Sequence, residues 1–219
     1  MYPQSNSARS VRDLSGVWDF RFNAEEPWQP IAVPASYNDQ SPDPEFRRHY
    51  GMAYYRTTFT VPEGARRVLR FDAVTHNAVV RLNGQEIASH RGGFLPFEAD
   101  ITALAQPGET VTLDVEVDNR IGHSSLPVGN EGGTAFFGSD NAGIPAVEAG
   151  KARQQAQGIN LPNFDFFNYA GITRPVHLCT TPAAYIRDVT VAADMTGTLR
   201  YTVDTVGEGS VKVEILDAE

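Results

Sequence analysis

Val111-Thr112-Leu113-Asp114-Val115-Glu116-Val117-Asp118 alternates without a break, apolar at every odd position and polar at every even one. Successive side chains of a strand point to opposite faces, so the run predicts a half-buried β-strand. The same period recurs along the chain. Trp18, Phe20 and Phe22 share one face while Val17, Asp19 and Arg21 share the other, and Tyr55, Thr57, Phe59 and Val61 repeat the pattern. Val68 to Phe71 follows the Pro62-Glu63-Gly64 turn, and Val79 to Leu82 pairs with Gln85 to Ser89 across Asn83-Gly84. Asn-Gly is the dipeptide that best tolerates the positive φ of a tight hairpin. Strands thus arrive about every ten residues, which predicts an all-β sandwich or barrel.

Helical signals are scarce. Asp100 is placed to cap one turn through Thr102, Ala103 and Leu104 before Pro107-Gly108 stops it, whereas Pro145 to Gln157 is rich in Ala and Gln without an apolar stripe. That second stretch belongs to a connection from Arg120 to Phe164 punctuated by glycines; connections of such length are either functional or partly disordered.

Thr180-Thr181-Pro182 reads as a boundary, dividing the chain into a first domain over 1–182 and a second unit over 183–219. Three alternating strands are expected in the second unit, at Ile186 to Ala193, Thr198 to Val206 and Val211 to Leu216. Three strands are too few to close a seven-stranded sandwich, so this unit reads as an incomplete one whose edges need a partner.

With 219 residues, the chain is long enough to bury a core without disulfide staples, and its single cysteine, Cys179, rules out an internal disulfide. Cys179 lies in an apolar stretch, where a buried inert thiol is expected. A net charge of −9 repels phosphate backbones, and Arg47-Arg48 and Arg66-Arg67 read as solvated turn charges, so no nucleic-acid partner is expected. Met1 to Ser7 lacks the apolar core of a secretory signal and no window approaches about 18 apolar residues, which points to a cytoplasmic protein with no membrane partner.

His49, His76, His90, His123 and His177 show no metal-ligand spacing, so no metal and no cofactor are expected. Ser36, Ser89 and Ser124 lie in no nucleophile elbow, and Gly92-Gly93 reads as a close backbone approach rather than a phosphate loop. Asp165-Phe166-Phe167-Asn168-Tyr169-Ala170-Gly171-Ile172-Thr173-Arg174-Pro175 is more specific: a carboxylate, an amide and three aromatic rings stand where the long connection re-enters a strand. That mixture suits a sugar, whose hydroxyls need fixed polar partners and whose C–H faces pack on rings; the same rings also suit core filling or loop anchoring.

Five blocks, in order, resemble the N-terminal part of glycoside hydrolase family 2 enzymes, and within them the bacterial β-glucuronidases. They are Leu14 to Phe20, Ile31 to Gln40, Leu69 to His76, His90 to Asp100 and the run opening at Asp165. The resemblance covers residues 14 to about 182 and implies a jelly-roll sugar-binding domain, with 183–219 as the start of an immunoglobulin-like sandwich. A C-terminal TIM barrel follows in the resembling enzymes and holds both carboxylates of the retaining mechanism, about 5 Å apart. The resemblance therefore implies no catalytic residue in these 219 positions, and no hydrolysis of an aryl β-glucuronide by them alone.

What it does carry over is Asp165, as a substrate-binding carboxylate that accepts hydrogen bonds from glucuronate hydroxyls beside the barrel. Asn168 and Tyr169 are secondary candidates, expected to hold the loop more than touch the sugar, with Phe166 and Phe167 as anchors in the core or against the barrel. The implied partners are a β-glucuronide or related carbohydrate bound only with the barrel present, the remaining domains of the enzyme, and further copies in a homo-oligomer. Gly129 to Gly143 departs from the family pattern. Three alternatives stand beside this reading: a free-standing carbohydrate-binding module, an assembly domain, and part of a β-galactosidase or β-mannosidase relative.

Overall fold

The computed structural model describes residues 3–121, 160 and 167–216. In chain order its elements are β1 (Ser10–Asp13), β2 (Gly16–Arg21), β3 (Gln29–Val33), a 3-10 turn (Tyr37–Asp39), α1 (Pro44–Arg48), β4 (Met52–Thr60) and β5 (Arg66–Phe71). There follow β6 (Val74–Thr75), β7 (Asn77–Leu82), β8 (Gln85–Arg91), β9 (Phe97–Asp100), β10 (Thr110–Asp118), β11 (Gly171–Ile172), β12 (Val176–Thr181), β13 (Tyr185–Ala193) and β14 (Leu199–Val206).

Every ladder among the described residues is antiparallel. A six-stranded sheet runs β3-β2-β4-β10-β7-β8 and a four-stranded sheet runs β1-β12-β5-β9, while β11-β6 and β13-β14 form two-stranded ribbons. The alternating run that predicts a strand is β10, at the centre of the larger sheet, where it pairs with β4 through Val115 and Tyr55 and with β7 through Val115 and Val80. Its odd residues point into one apolar cluster shared with Phe20, Tyr55 and Val80 of the same sheet and Leu69, Phe71, Ala99, Val176 and Leu178 of the other. One core between two sheets is a β-sandwich, one of the two architectures that the period-two pattern predicts.

Local expectations hold where chemistry forces them. Asn83 takes φ 49° in the β7–β8 turn, and the Asp100 carboxylate accepts the Thr102 N–H at 2.9 Å to open one turn. A Cβ on Gly93 would stand 3.0 Å from Thr75 Cα, which is the close approach expected at Gly92-Gly93.

Three expectations are corrected. Val211–Leu216 alternates but forms no strand: Val211, Val213, Ile215 and Leu216 are exposed, and alternation marks a face without supplying a ladder partner. Arg67 is not solvated; its guanidinium is buried and donates to the carbonyls of Gly64 at 2.8 Å and Thr102 at 2.6 Å. Cys179 is half-buried rather than a core thiol, because alternation along β12 turns Val176 and Leu178 inward and Cys179 to the opposite face. Pro145 to Gln157 lies outside the described residues.

Candidate functional site

The segment that re-enters the sandwich at β11 is held at one end of the two sheets. Gly171 and Ile172 pair with Thr75 and Val74, while the Ile172 and Ala170 carbonyls accept the N–H groups of Ala35 and Tyr37 at 3.0 and 3.1 Å. Gly171 has φ +121°, and a Cβ there would lie 2.5 Å from the Tyr55 hydroxyl, so glycine alone fits both the backbone and the space. Asp165 and Phe166, the carboxylate and first ring singled out from the sequence, lie outside the described residues.

Asn168 is buried, and three of its polar groups are used. Nδ2 donates to the Asn119 carbonyl at 2.8 Å, Oδ1 accepts from His76 Nε2, and the backbone carbonyl accepts Asn160 Nδ2 at 2.8 Å. Asn119, itself fully buried, follows β10 and ties its Oδ1 to the Gly51 N–H at 2.7 Å and its Nδ2 to the His49 carbonyl at 2.8 Å. Asn38 does the same from the loop after β3: Oδ1 accepts the Ala170 N–H at 2.9 Å and Nδ2 donates to the Phe46 carbonyl at 2.9 Å. Asn160 completes the set by donating its own N–H to the Arg48 carbonyl at 2.6 Å. Four buried asparagines therefore take the place of strand ladders where the backbone is irregular, as buried polar groups must.

Burial also acts on the nearby imidazoles. His76 is shielded from water, which lowers its pKa, with the Asn168 hydrogen bond opposing the shift. His49 is lowered for the same reason; it stacks on Phe22 at 4.0 Å and faces the Met52 carbonyl at 2.7 Å. Both are neutral side chains at pH 7.

Next to this buried network lies an exposed face. Tyr169 is 43% exposed, its ring meets Phe167 edge-on at 4.8 Å, and Arg47 of α1 lies over Phe167 at 3.9 Å and within 3.4 Å of the Tyr169 hydroxyl. Asp39 pairs with the same guanidinium. Phe167 is thus a half-exposed ring on the surface rather than a core anchor, because Arg47 and Tyr169 give it a partly wet partner set. The structure divides the two secondary candidates: Asn168 holds the loop from inside, and Tyr169 presents its ring to solvent. Among the described residues, no group of three or more His, Cys, Asp or Glu side chains gathers as a metal site. No helix among them is long and apolar enough to cross a membrane.

Asn38, Asn119, Asn160 and His76 were given no site role by sequence reasoning. Asn38 and His76 fall inside two of the five blocks, so their signal was present without a role; Asn119 had only its place at the end of the alternating run.

The family model for the sugar-binding domain of glycosyl hydrolases family 2 matches residues 11–182. The chain belongs to that family. A β-glucuronidase of Paenibacillus borealis is 35% identical over 241 aligned residues, which take in 100% of this chain and 38% of that protein. The solved Faecalibacterium prausnitzii β-glucuronidase is 56% identical with a TM-score of 0.79, covering 94% of this chain and 37% of that one. A Bifidobacterium dentium β-glucuronidase, solved with coumarin-3-O-glucuronide, is 48% identical with a TM-score of 0.76 over 95% of this chain and 38% of that one. This family 2 chain therefore matches the N-terminal part of β-glucuronidases and spans about 38% of the length of those relatives.

Proposed function

We propose that the chain is the sugar-binding part of a retaining β-glucuronidase, forming one wall of an active site whose two catalytic carboxylates lie in a further barrel domain. The observation that carries this reading is the 56% identity to a solved β-glucuronidase over 94% of the chain. A relative solved with a glucuronide supports the substrate class. The jelly-roll topology of 1–182, the immunoglobulin-like character of 183–219 and assembly into a homo-oligomer belong to the same proposal. The hairpin β13–β14, with one apolar face exposed, supports the last two, since such a face needs a cover.

Within that site Asp165 is the substrate-binding residue. It stands two positions before Phe167, where the described chain resumes and is tied to Asn38, Asn119 and His76 through Asn168 and Ala170. A carboxylate accepts sugar hydroxyls more strongly than a neutral group, and hydrogen bonds to charged groups contribute about 1.5–3 kcal/mol. In the full-length enzyme, Asp165→Ala should lower kcat/KM for an aryl β-glucuronide by roughly 10- to 100-fold, with folding unchanged. Unchanged kinetics would remove Asp165 from the site and leave this domain a supporting one.

A further inference from the structure

We infer that His76 is a positioning residue for the Phe167–Ile172 wall of this site, acting through Asn168. The inference deepens the glucuronide-site reading and rests on it. Asn168 Nδ2 faces the Asn119 carbonyl, which only accepts, so the amide is oriented with Oδ1 toward His76. An amide oxygen only accepts as well, so Nε2 of His76 carries the hydrogen and donates it. The imidazole is 1% exposed and its Nδ1 finds no donor among the described residues. A histidine held neutral, in one tautomer and with its second nitrogen unused, is a costly way to fill apolar space. It is a sound way to aim one hydrogen bond.

The backbone of His76 is fixed from two directions. Its N–H donates to the Asp118 carbonyl at 3.2 Å, at the end of the central strand β10, and its carbonyl accepts the Gly92 N–H at 2.9 Å. Thr75, one residue earlier, pairs with Gly171. His76 therefore joins the end of β10, central in the larger sheet, to the segment that carries the half-exposed Phe167 and exposed Tyr169 rings, without itself reaching solvent. The Phe94 ring lies 6.3 Å from the imidazole and is 46% exposed.

The test uses the full-length enzyme with His76→Phe, which keeps a ring but has no donor, and His76→Gln, whose amide restores one. Hydrogen exchange is read at the Tyr169 and Ala170 amides, with Val115 of β10 as the internal control, and kinetics are read with p-nitrophenyl β-D-glucuronide. Expected for His76→Phe are exchange at Tyr169 and Ala170 at least about tenfold faster with Val115 unchanged, and a fall in kcat/KM of about tenfold, mostly in KM. His76→Gln should recover most of both. Uniformly faster exchange at Val115 as well, or unchanged kcat/KM, overturns the inference, as does a Gln variant no better than Phe. If His76→Phe yields no folded protein, Asn160→Ala removes the donor to the Asn168 carbonyl from the other side, and the same local exchange increase with the same KM effect is expected. A wild-type enzyme inert toward the glucuronide overturns the glucuronidase reading instead, and the exchange data, which need no substrate, still decide whether His76 holds the segment.

Discussion

The sandwich and the β13–β14 hairpin are built from the same alternating pattern and end in opposite states. In the sandwich the inward side chains of β2, β4 and β10 are closed off from water, with Phe20, Tyr55 and Leu113 at 0% exposure. In the hairpin Val189, Val191, Tyr201 and Leu199, which share one face through the Val191–Tyr201 and Val189–Val203 pairs, remain 39–60% exposed. The difference teaches that alternation specifies which face wants burial, whereas stability comes from the second layer that covers it.

The largest expected effect lies in the covered region. Phe20 touches Phe22, Tyr37, Phe46 and Tyr55 with ring centroids 4.9–5.7 Å apart, so Phe20→Ala opens a cavity in an aromatic cluster. It should lower unfolding free energy by about 3–5 kcal/mol, read from the urea midpoint at unchanged m-value. A loss below about 1 kcal/mol would mean that the cluster is not the stabilising centre of the sandwich.

Acid should weaken the same region by a smaller amount, through His76 and His49. Both have folded-state pKa values below the ordinary 6.5, so the unfolded chain takes up protons first as pH falls. Stability is therefore level above about pH 6.5 and declines below it until the folded values are passed. Urea midpoints at pH 7.5 and 5.5 should differ in that direction, and the gap should narrow in His76→Gln. A midpoint that rises on acidification would reverse the assignment.

The smallest effect is expected in the hairpin. Val191→Thr, at a position 60% exposed, should change stability by no more than about 0.5 kcal/mol, and β13–β14 amides should exchange well before those of β10. Hairpin protection equal to that of β10 in the 219-residue chain would show that something already covers its apolar face.

Much of this was legible in the residues. Alternation at Trp18 to Phe22, Tyr55 to Val61 and Val111 to Val117 specified strands and their buried faces, because a strand's two sides are a local property of the backbone. Asn83-Gly84 and Asp100 specified their turns for equally local reasons. The run from Asp165 to Pro175 marked the re-entry segment and the candidate sugar face, and five blocks placed the chain in its family.

What tertiary structure alone decided is which polar groups go inside. Asn38, Asn119, Asn160 and Asn168 look like four loop residues in the sequence, yet each is buried and spends its amide on a group between 8 and 132 positions away. Arg67 reads as a turn charge and is buried against two carbonyls, while Val211 to Leu216 reads as a strand and has no ladder. The physical reason is the same in each case. A side chain's own chemistry sets what it can bond, but whether it is buried or exposed, paired or unpaired, depends on which distant backbone groups are left without partners where the sheets end.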